Sequence, residues 1–565
     1  MRKDISPIIA FFIMLAAVAV SALLLHPAEL RYGHDIFYHV LRTEALYDQL
    51  SRGVPAHPIN YFFFNGAGYP STLCYPDLLL YIPAALRFCG LNPGQATTLF
   101  ILLCSAASCG TAYWAASEIT GSRRAAVCAA VVYTLCQYRL DCMYTRGALG
   151  EIQAFIFIPL AMYAVYDLIF RDFRRPFLMV AAFSGLMLTH TVSLFAAVVI
   201  AAVFCLIFIR RVLRHIPAAA GAALLTLGLT AFFWIPCCEM LLVHKMKASV
   251  PWTSAAENAV PLLTLFSNTV LGQAKAGMGI AVFALCLMCP VLFFRRGGSG
   301  ESDEGTYPAD VQQAGRVHLA AGLLCALSAT VLFPWAYAGF LGIIQFPWRL
   351  YSFASWFLAA AAGAMIECLY VKYGMQNRFP QFMRHLPVFG VLALMCASAL
   401  WHYSVMEGRY YDVPDSFYAD PVKTMNVCRG EWLPLNTDWE KLVSDDYLCR
   451  DENGRALECK SSKDRLRMFI PLNGDDLHSI EVPRIWYPGY IAVHITAYKK
   501  PSLLPVTGDG RNGFCRIAVE PGLDGFISLR YAKTLPQRAA VWITWASLLS
   551  VAVFAVWRRR RMKNS

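Results

Sequence analysis

Apolar positions along this chain fall in long unbroken runs, and many reach fifteen to twenty residues, about what one helix needs to cross a hydrocarbon core of roughly 30 Å. The first, Pro7 to His26, follows Arg2 and Lys3 and has no A-x-A-like cleavage site behind it. It reads as an uncleaved first span with a cytoplasmic N-terminus. Further candidate spans are Gln95 to Ser117, Ala125 to Tyr138, Ile152 to Tyr166, Phe177 to Thr189, Val192 to Ile209, Pro217 to Pro236 and Gly279 to Phe294. Leu319 to Phe333, Leu350 to Ile366, Leu386 to Trp401 and Ala539 to Trp557 complete the series, about twelve in all.

Tyr75 to Phe88 is also apolar, and counting it as a span would invert everything after it. Leaving it as a short interfacial or re-entrant helix keeps Arg123/Arg124, Arg171/Arg174/Arg175, Arg210/Arg211/Arg214, Arg295/Arg296, Lys372/Arg378/Arg384 and Arg558 to Arg561 on the side of the N-terminus. That agrees with the excess of Lys and Arg in cytoplasmic loops, so both termini are expected there.

Two polar regions then face outward. The first outer loop, residues 27–76, is dense in aromatics, Gly and Pro, and Ile36 to Ser51 reads as an amphipathic helix lying on the membrane. The second, residues 402–538, holds nineteen of the 37 acidic residues. Its later half alternates short β-branched runs, such as Ile480 to Val482, Tyr490 to Ile495 and Phe526 to Tyr531, with Pro-Gly, Gly-Asp-Gly and Asn-Gly turns. The expected architecture is an all-α polytopic bundle over 1–401, a small extracytoplasmic, mainly-β domain over 402–538, and a final transmembrane helix with a basic cytoplasmic tail over 539–565. The loop Gly297 to Gly315, acidic and Gly-rich, reads as a mobile linker.

Composition excludes a soluble globule: 57% of residues are hydrophobic and 15% charged, against about a quarter charged in ordinary domains. The net charge of +12 would suggest nucleic acid in a soluble chain, but the basic residues flank apolar segments and no nucleic-acid partner is expected. Fifteen of the nineteen cysteines lie in or beside apolar stretches, where cysteine acts as a small hydrophobe, and no Cys spacing suggests a metal site. The other four, Cys428, Cys449, Cys459 and Cys515, fall in the outer domain and allow three pairings.

Ionisable groups at membrane depth are costly and are functional candidates by default. On the outer side they are Asp35, Glu44, Asp48 and Asp77 around the first loop, Arg139, Asp141, Arg146 and Glu151 in YRLDCMYTRGALGE, then His190, Glu239 and Arg349. Asp35, in Gly33-His34-Asp35, starts a helix with His39 and Arg42 four and seven residues on, so one face presents an acid, an imidazole and a cation. The bland alternatives are an N-cap for Asp35, a headgroup anchor for Arg42, an Arg-Glu pair fixing the turn at Glu151, a hairpin histidine at His190 and an exposed acid at Glu239. Arg349, in Gln345-Phe346-Pro347-Trp348-Arg349, suits an aromatic-belt anchor or a phosphate equally.

GHDIFYHVLRTEALYDQLSRG, NGAGYPSTLCYPDLLLYIPA, YRLDCMYTRGALGEIQAF, FFWIPCCE and QFPWRL resemble bacterial membrane proteins catalogued as 6-pyruvoyl-tetrahydropterin-synthase-related. VPRIWYPGYIAVHITAYKKPSLLPVTGDGRNGFCRIAVEPG with ISLRYAKT is similar to the outer domain of YfhO-like proteins. Both groups look like members of the GT-C class of lipid-linked-sugar glycosyltransferases. The pterin label is no guide, because a soluble zinc-dependent pterin fold cannot be built from these spans.

The resemblance implies a multi-pass bacterial plasma-membrane enzyme with an acidic residue after its first span, a place that Asp35 matches. That carboxylate would act as general base while a sugar leaves a polyprenyl-phosphate carrier for a cell-envelope glycan or lipid acceptor. Arg146, Arg139 or Arg349 would bind the leaving phosphate, and Glu151, Asp141 or His190 would orient sugar hydroxyls. The full expected substrate-binding set adds His34, His39, Arg42, Glu239 and Gln345. His34-Asp35 stands where a double acid is common, which favours a reaction without metal or cofactor. A lipid or oligosaccharide transporter and a non-catalytic envelope assembly factor are the competing classes.

Overall fold

The computed structural model describes residues 4–54, 57–250, 253–267, 276–287, 289–293, 309–372, 383–406, 408–414, 416, 430–474, 476–497 and 499–564. Cys428 and residues 297–308 of the expected linker lie outside them. The chain gathers into two compact units, each assembled from three stretches. Met1–Phe37, Gly94–Ala223 and Trp252–Asp412 form the first; Tyr38–Pro93, Leu224–Pro251 and Val413–Ser565 form the second.

Among the described residues six helices are long and apolar enough to cross a membrane: Pro93–Thr120, Leu149–Phe170, Ile209–Leu229, Pro347–Val371, Met383–Ser404 and Leu535–Arg561. Five apolar helices of 10–17 residues accompany them, including Pro7–Ser21, Leu78–Phe88, Pro176–Met187 and Thr191–Ile207. Among the described residues the expected count of about twelve spans is thus matched only in part, by six long helices and five shorter apolar ones. An apolar run predicts burial without predicting an unbroken helix: the run at 279–294 gives two short helices, Ile280–Cys286 and Cys289–Phe293. The expected linker is also shorter than its composition suggested, because a helix already starts at Ala309 and continues to Ser328.

In the first unit Arg123–Leu135 is buried from Arg124 to its C-terminus. Its many alanines let other helices close in, and at Gly363 an added Cβ would meet the Ala125 carbonyl oxygen at 2.5 Å. At the N-terminal end of this helix the Asp4 carboxylate accepts the backbone N–H groups of Arg123 (2.6 Å) and Arg124 (3.2 Å). The Arg124 guanidinium lies over the Tyr370 ring and 3.4 Å from Glu367, each of the pair 2% exposed. Strand β1 (Leu30–Arg31) pairs antiparallel with β2 (Tyr410–Tyr411), so residues up to Asp412 belong with the helices.

Among the described residues of the second unit ten strands follow: β3 (Cys449–Asp451), β4 (Ala456–Leu457), β5 (Lys460–Ser461), β6 (Arg467–Asn473), β7 (Ser479–Ile485), β8 (Tyr490–Ile495), β9 (Ser502–Leu504), β10 (Val506–Thr507), β11 (Phe514–Ala518) and β12 (Asp524–Tyr531). They make two five-stranded antiparallel sheets, β10-β11-β7-β3-β4 and β5-β6-β12-β8-β9. Alternating residues such as Ile480, Val482, Ile517, Ile470, Ala492 and Ile527 are fully buried. The Pro488-Gly489 turn works because Gly489 takes φ 117°, where an added Cβ would press on the Ala532 carbonyl at 2.5 Å. Much of the first loop packs on these strands: the Ile485 N–H donates to the Ala67 carbonyl at 2.9 Å, and the Tyr61 and Tyr490 hydroxyls meet at 3.0 Å.

Removing one member of a buried ion pair typically costs about 3–5 kcal/mol, and less where the other charge keeps a second partner, as Arg124 does in Asp4 at 3.5 Å. Glu367→Ala is expected to lower the unfolding midpoint of the detergent-solubilised protein. The double change Arg124→Met/Glu367→Leu should recover most of that loss in the same thermal scan.

Candidate functional site

After the buried helix Arg123–Leu135, a short turn of helix, Gln137–Asp141, runs into a single wide π-type turn, Cys142–Arg146. Such turns recur at functional sites because they rotate side chains out of the regular helical register. Gly147 closes it at φ 61°, and an added Cβ there would sit 2.5 Å from Cβ of Ile36. Gly33 meets the same junction, since its Cβ would lie 2.8 Å from the Gly147 nitrogen. With no side chain at either place the two backbones touch. The His34 N–H donates to the Thr145 carbonyl (3.2 Å) and the Asp35 N–H to the Arg146 carbonyl (2.7 Å).

This contact sets Asp35 beside Arg146, with carboxylate and guanidinium 4.0 Å apart. The Asp35 side chain is 48% exposed and that of Arg146 only 8%, so the acid stands at a rim and the cation behind it. Glu151, in the first turn of Leu149–Phe170, is 2% exposed. Its Oε1 accepts Nη1 of Arg146 at 2.6 Å and Nε of Arg349 at 3.3 Å, while its Oε2 accepts the Tyr138 hydroxyl at 2.6 Å. Arg349 also donates Nη1 to the Ile344 carbonyl (2.9 Å) and lies over the Phe346 ring. Two guanidiniums thus share one buried carboxylate, and the rim carboxylate of Asp35 is the second anion of the group.

The five residues Asp35, Arg146, Glu151, His190 and Arg349, singled out on charge alone, come together here; His190 is near enough to act electrostatically on Glu151. Its Nδ1 also accepts the Ser193 N–H at 3.2 Å, so it caps the helix Thr191–Ile207. Both oxygens of Glu151 are taken by protein donors, which makes it a positioning group for the arginines. Gln345 contributes backbone: at φ 57° and ψ −45° its carbonyl accepts Asn258 at 3.3 Å, just before the turn that carries Arg349. His34 is exposed at the rim.

Other expected members have different partners. Arg139 is 1% exposed and donates to the Thr134 carbonyl (2.7 Å) and the Ser108 hydroxyl (2.9 Å). Asp141 is fully buried 3.0 Å from His402, so it braces the π-type turn from the helix Leu386–Ser404. In the second unit Arg42 is buried against Asp77, the Pro76 carbonyl and Nδ1 of His39, which makes the imidazole and cation structural there. Burial pushes the Asp77 carboxyl up, against the pull of Arg42. Glu239, in that unit too, accepts the Thr534 hydroxyl (2.8 Å) and the Gln537 amide (2.9 Å).

Tyr138 and His402 were not anticipated. Tyr138 sits within the charged YRLD run, and that proximity was its one signal. His402 lay at the expected edge of the outer domain, 261 residues from its partner. Among the described residues no group of three or more His, Cys, Asp or Glu is arranged to hold a metal ion.

No family model matches the chain, and no curated protein does. Among solved structures it is similar to the oligosaccharyltransferase of Archaeoglobus fulgidus in the apo form, at 14% identity and TM-score 0.36, over 74% of this chain and 58% of that one. A second match, the archaeal oligosaccharyltransferase AglB from the same organism with an inhibitory peptide and a dolichol-phosphate, has 12% identity and TM-score 0.35 over 69% and 56%. The arabinofuranosyltransferase AftD from mycobacteria gives 12% identity and TM-score 0.47 over 94% of this chain and 40% of that one. The chain spans about half the length of the solved structures it matches.

A left-handed backbone alone costs an L side chain about 1–2 kcal/mol. Gly53→Ala, at φ 75° in open space, is expected to lose no more than that. Gly147→Ala must also displace Ile36, so its unfolding midpoint should fall further than that of Gly53→Ala in parallel scans.

Proposed function

We propose that the chain is a membrane glycosyltransferase that moves a sugar from a polyprenyl-phosphate carrier to an extracytoplasmic glycan or lipid of the bacterial envelope. The observation that carries this reading is a half-exposed carboxylate, Asp35, set 4.0 Å from Arg146, with Arg146 and Arg349 oriented by the one buried carboxylate of Glu151. General-base work needs an acid that a hydroxyl can reach, and departure of a phosphate needs fixed positive charge beside it. Both requirements meet within one group of side chains. The quoted sequence resemblance to lipid-linked-sugar transferases supports the same reading.

In the proposed step an acceptor hydroxyl donates its proton to Asp35 as its oxygen bonds the anomeric carbon. The bond from that carbon to the carrier phosphate oxygen breaks, and the phosphate leaves with the electron pair. Arg146 and Arg349 stabilise the charge that develops there, and because Glu151 and Tyr138 hold Arg146 in place, little reorganisation is required at that moment. A single displacement of this kind inverts the anomeric centre. The carrier tail stays in lipid while its phosphosugar reaches the arginines, which the six membrane-length helices among the described residues accommodate.

The test is transfer of labelled sugar from synthetic polyprenyl-phosphate donors by the purified protein in lipid. Asp35→Asn is expected to cut turnover by about 10²–10⁴-fold, the usual contribution of a general base. Arg349→Lys keeps the charge but loses the planar fork and its two bonds, so it should weaken donor use more than acceptor use. Carrier translocation by wild type without any sugar transfer would overturn the enzyme reading in favour of transport.

A further inference from the structure

We propose that Cys449 and Cys459 are a disulfide-forming pair that ties the two β-sheets of the second unit together where the chain passes from one to the other. Cys449 is the first residue of β3, in the sheet β10-β11-β7-β3-β4, and its backbone partner in β4 is Leu457. Two residues after Leu457 the chain reaches Cys459, and the next residue, Lys460, opens β5 in the other sheet. The Cys449 and Cys459 side chains lie close enough for each to act on the other. Among the described cysteines of this region, the arrangement points to Cys449 with Cys459. Cys515 is fully buried on β11, opposite Val482 of β7 and two strands away from β3.

The two thiols differ in ways that suit sequential exchange with a small disulfide oxidant, R–S–S–R. Cys449 is fully buried, whereas Cys459 is part-exposed. The thiol of Cys449, followed by its backbone N–H and the nearby Arg484 cation, pulls the Cys459 pKa down to about 6 against burial, while the same contact and burial push Cys449 up. Cys459 is therefore the attacking thiolate. It bonds one sulfur of the oxidant and expels RS⁻; the Cys449 sulfur then attacks Cys459, expels the second RS⁻ and gives up its proton. Two thiols are oxidised to one disulfide and one R–S–S–R is reduced to two RSH.

The experiment uses the full chain in detergent, reduced and then incubated with oxidised glutathione. Remaining thiols are alkylated and peptides are mapped without reduction. The expected result is a Cys449–Cys459 cross-linked peptide, two hydrogens lighter than its parts, with alkylation at both sites reduced at least tenfold. Cys449→Ser should stop at a glutathione mixed disulfide on Cys459. Cys286 and Cys289, also in hydrogen-bond contact but buried on apolar helices, should stay alkylatable once the protein is denatured. Alkylation of Cys459 in the reduced protein should rise through a midpoint near pH 6, against about 8.5 for an ordinary thiol. A wild-type Cys459 that ends as a mixed disulfide, joins Cys515 or Cys428, or remains free would overturn the pairing. A midpoint near 8.5 would overturn its role as the attacking sulfur. The wild-type map needs no substitution, so misfolding of a variant leaves the proposal decidable.

Discussion

The buried carboxylate of Glu151 is shared by two guanidiniums inside an apolar bundle, and the site is organised around that constraint. Desolvating an isolated charge costs several kcal/mol, so Arg146 and Arg349 are tenable at 8% and 17% side-chain exposure only with a shared anion and further acceptors. Those acceptors come from separate parts of the first unit: the Tyr138 hydroxyl takes Nη1 of Arg146, and the Ile344 carbonyl takes Nη1 of Arg349. The π-type turn and the turn before Tyr351–Lys372 are thereby held to each other by charge as well as by packing.

Legibility in the sequence followed the range of each interaction. Long apolar runs and Pro-Gly or Gly-Asp-Gly turns act locally, so helices such as Leu149–Phe170 and strands such as β8 and β12 lie close to where their patterns put them. Ionisable groups at depth also announced themselves, because each must have a reason to be there. What they do not announce is the partner. Arg139 and Arg146 look alike in YRLDCMYTRGALGE, yet one is satisfied by a carbonyl and a serine while the other meets Glu151 and Asp35. Asp141 belongs to His402, and Arg42 to Asp77, through tertiary placements that no spacing rule encodes.

The division into units bears on how the molecule can be dissected. The β-sheets end up with residues 38–93 and 224–251, which are remote in sequence, and Glu239 depends on Thr534 and Gln537 for its bonds. Cutting away residues 413–565 would therefore expose the partners of the first loop as well, including the hydroxyl of Tyr61 and the carbonyl of Ala67. Residue-level changes separate roles in this protein more cleanly than truncation does.

The main-chain contact at Gly33 and Gly147 has an evolutionary corollary. Since Asp35 is located by its own N–H on the Arg146 carbonyl and by the His34 N–H on the Thr145 carbonyl, its backbone position is indifferent to which side chains Thr145 and Arg146 carry. The charge beside Asp35 can thus drift while the carboxylate keeps its place. Placement and charge are coded in separable letters of the chain, and a descendant could change the second without relearning the first.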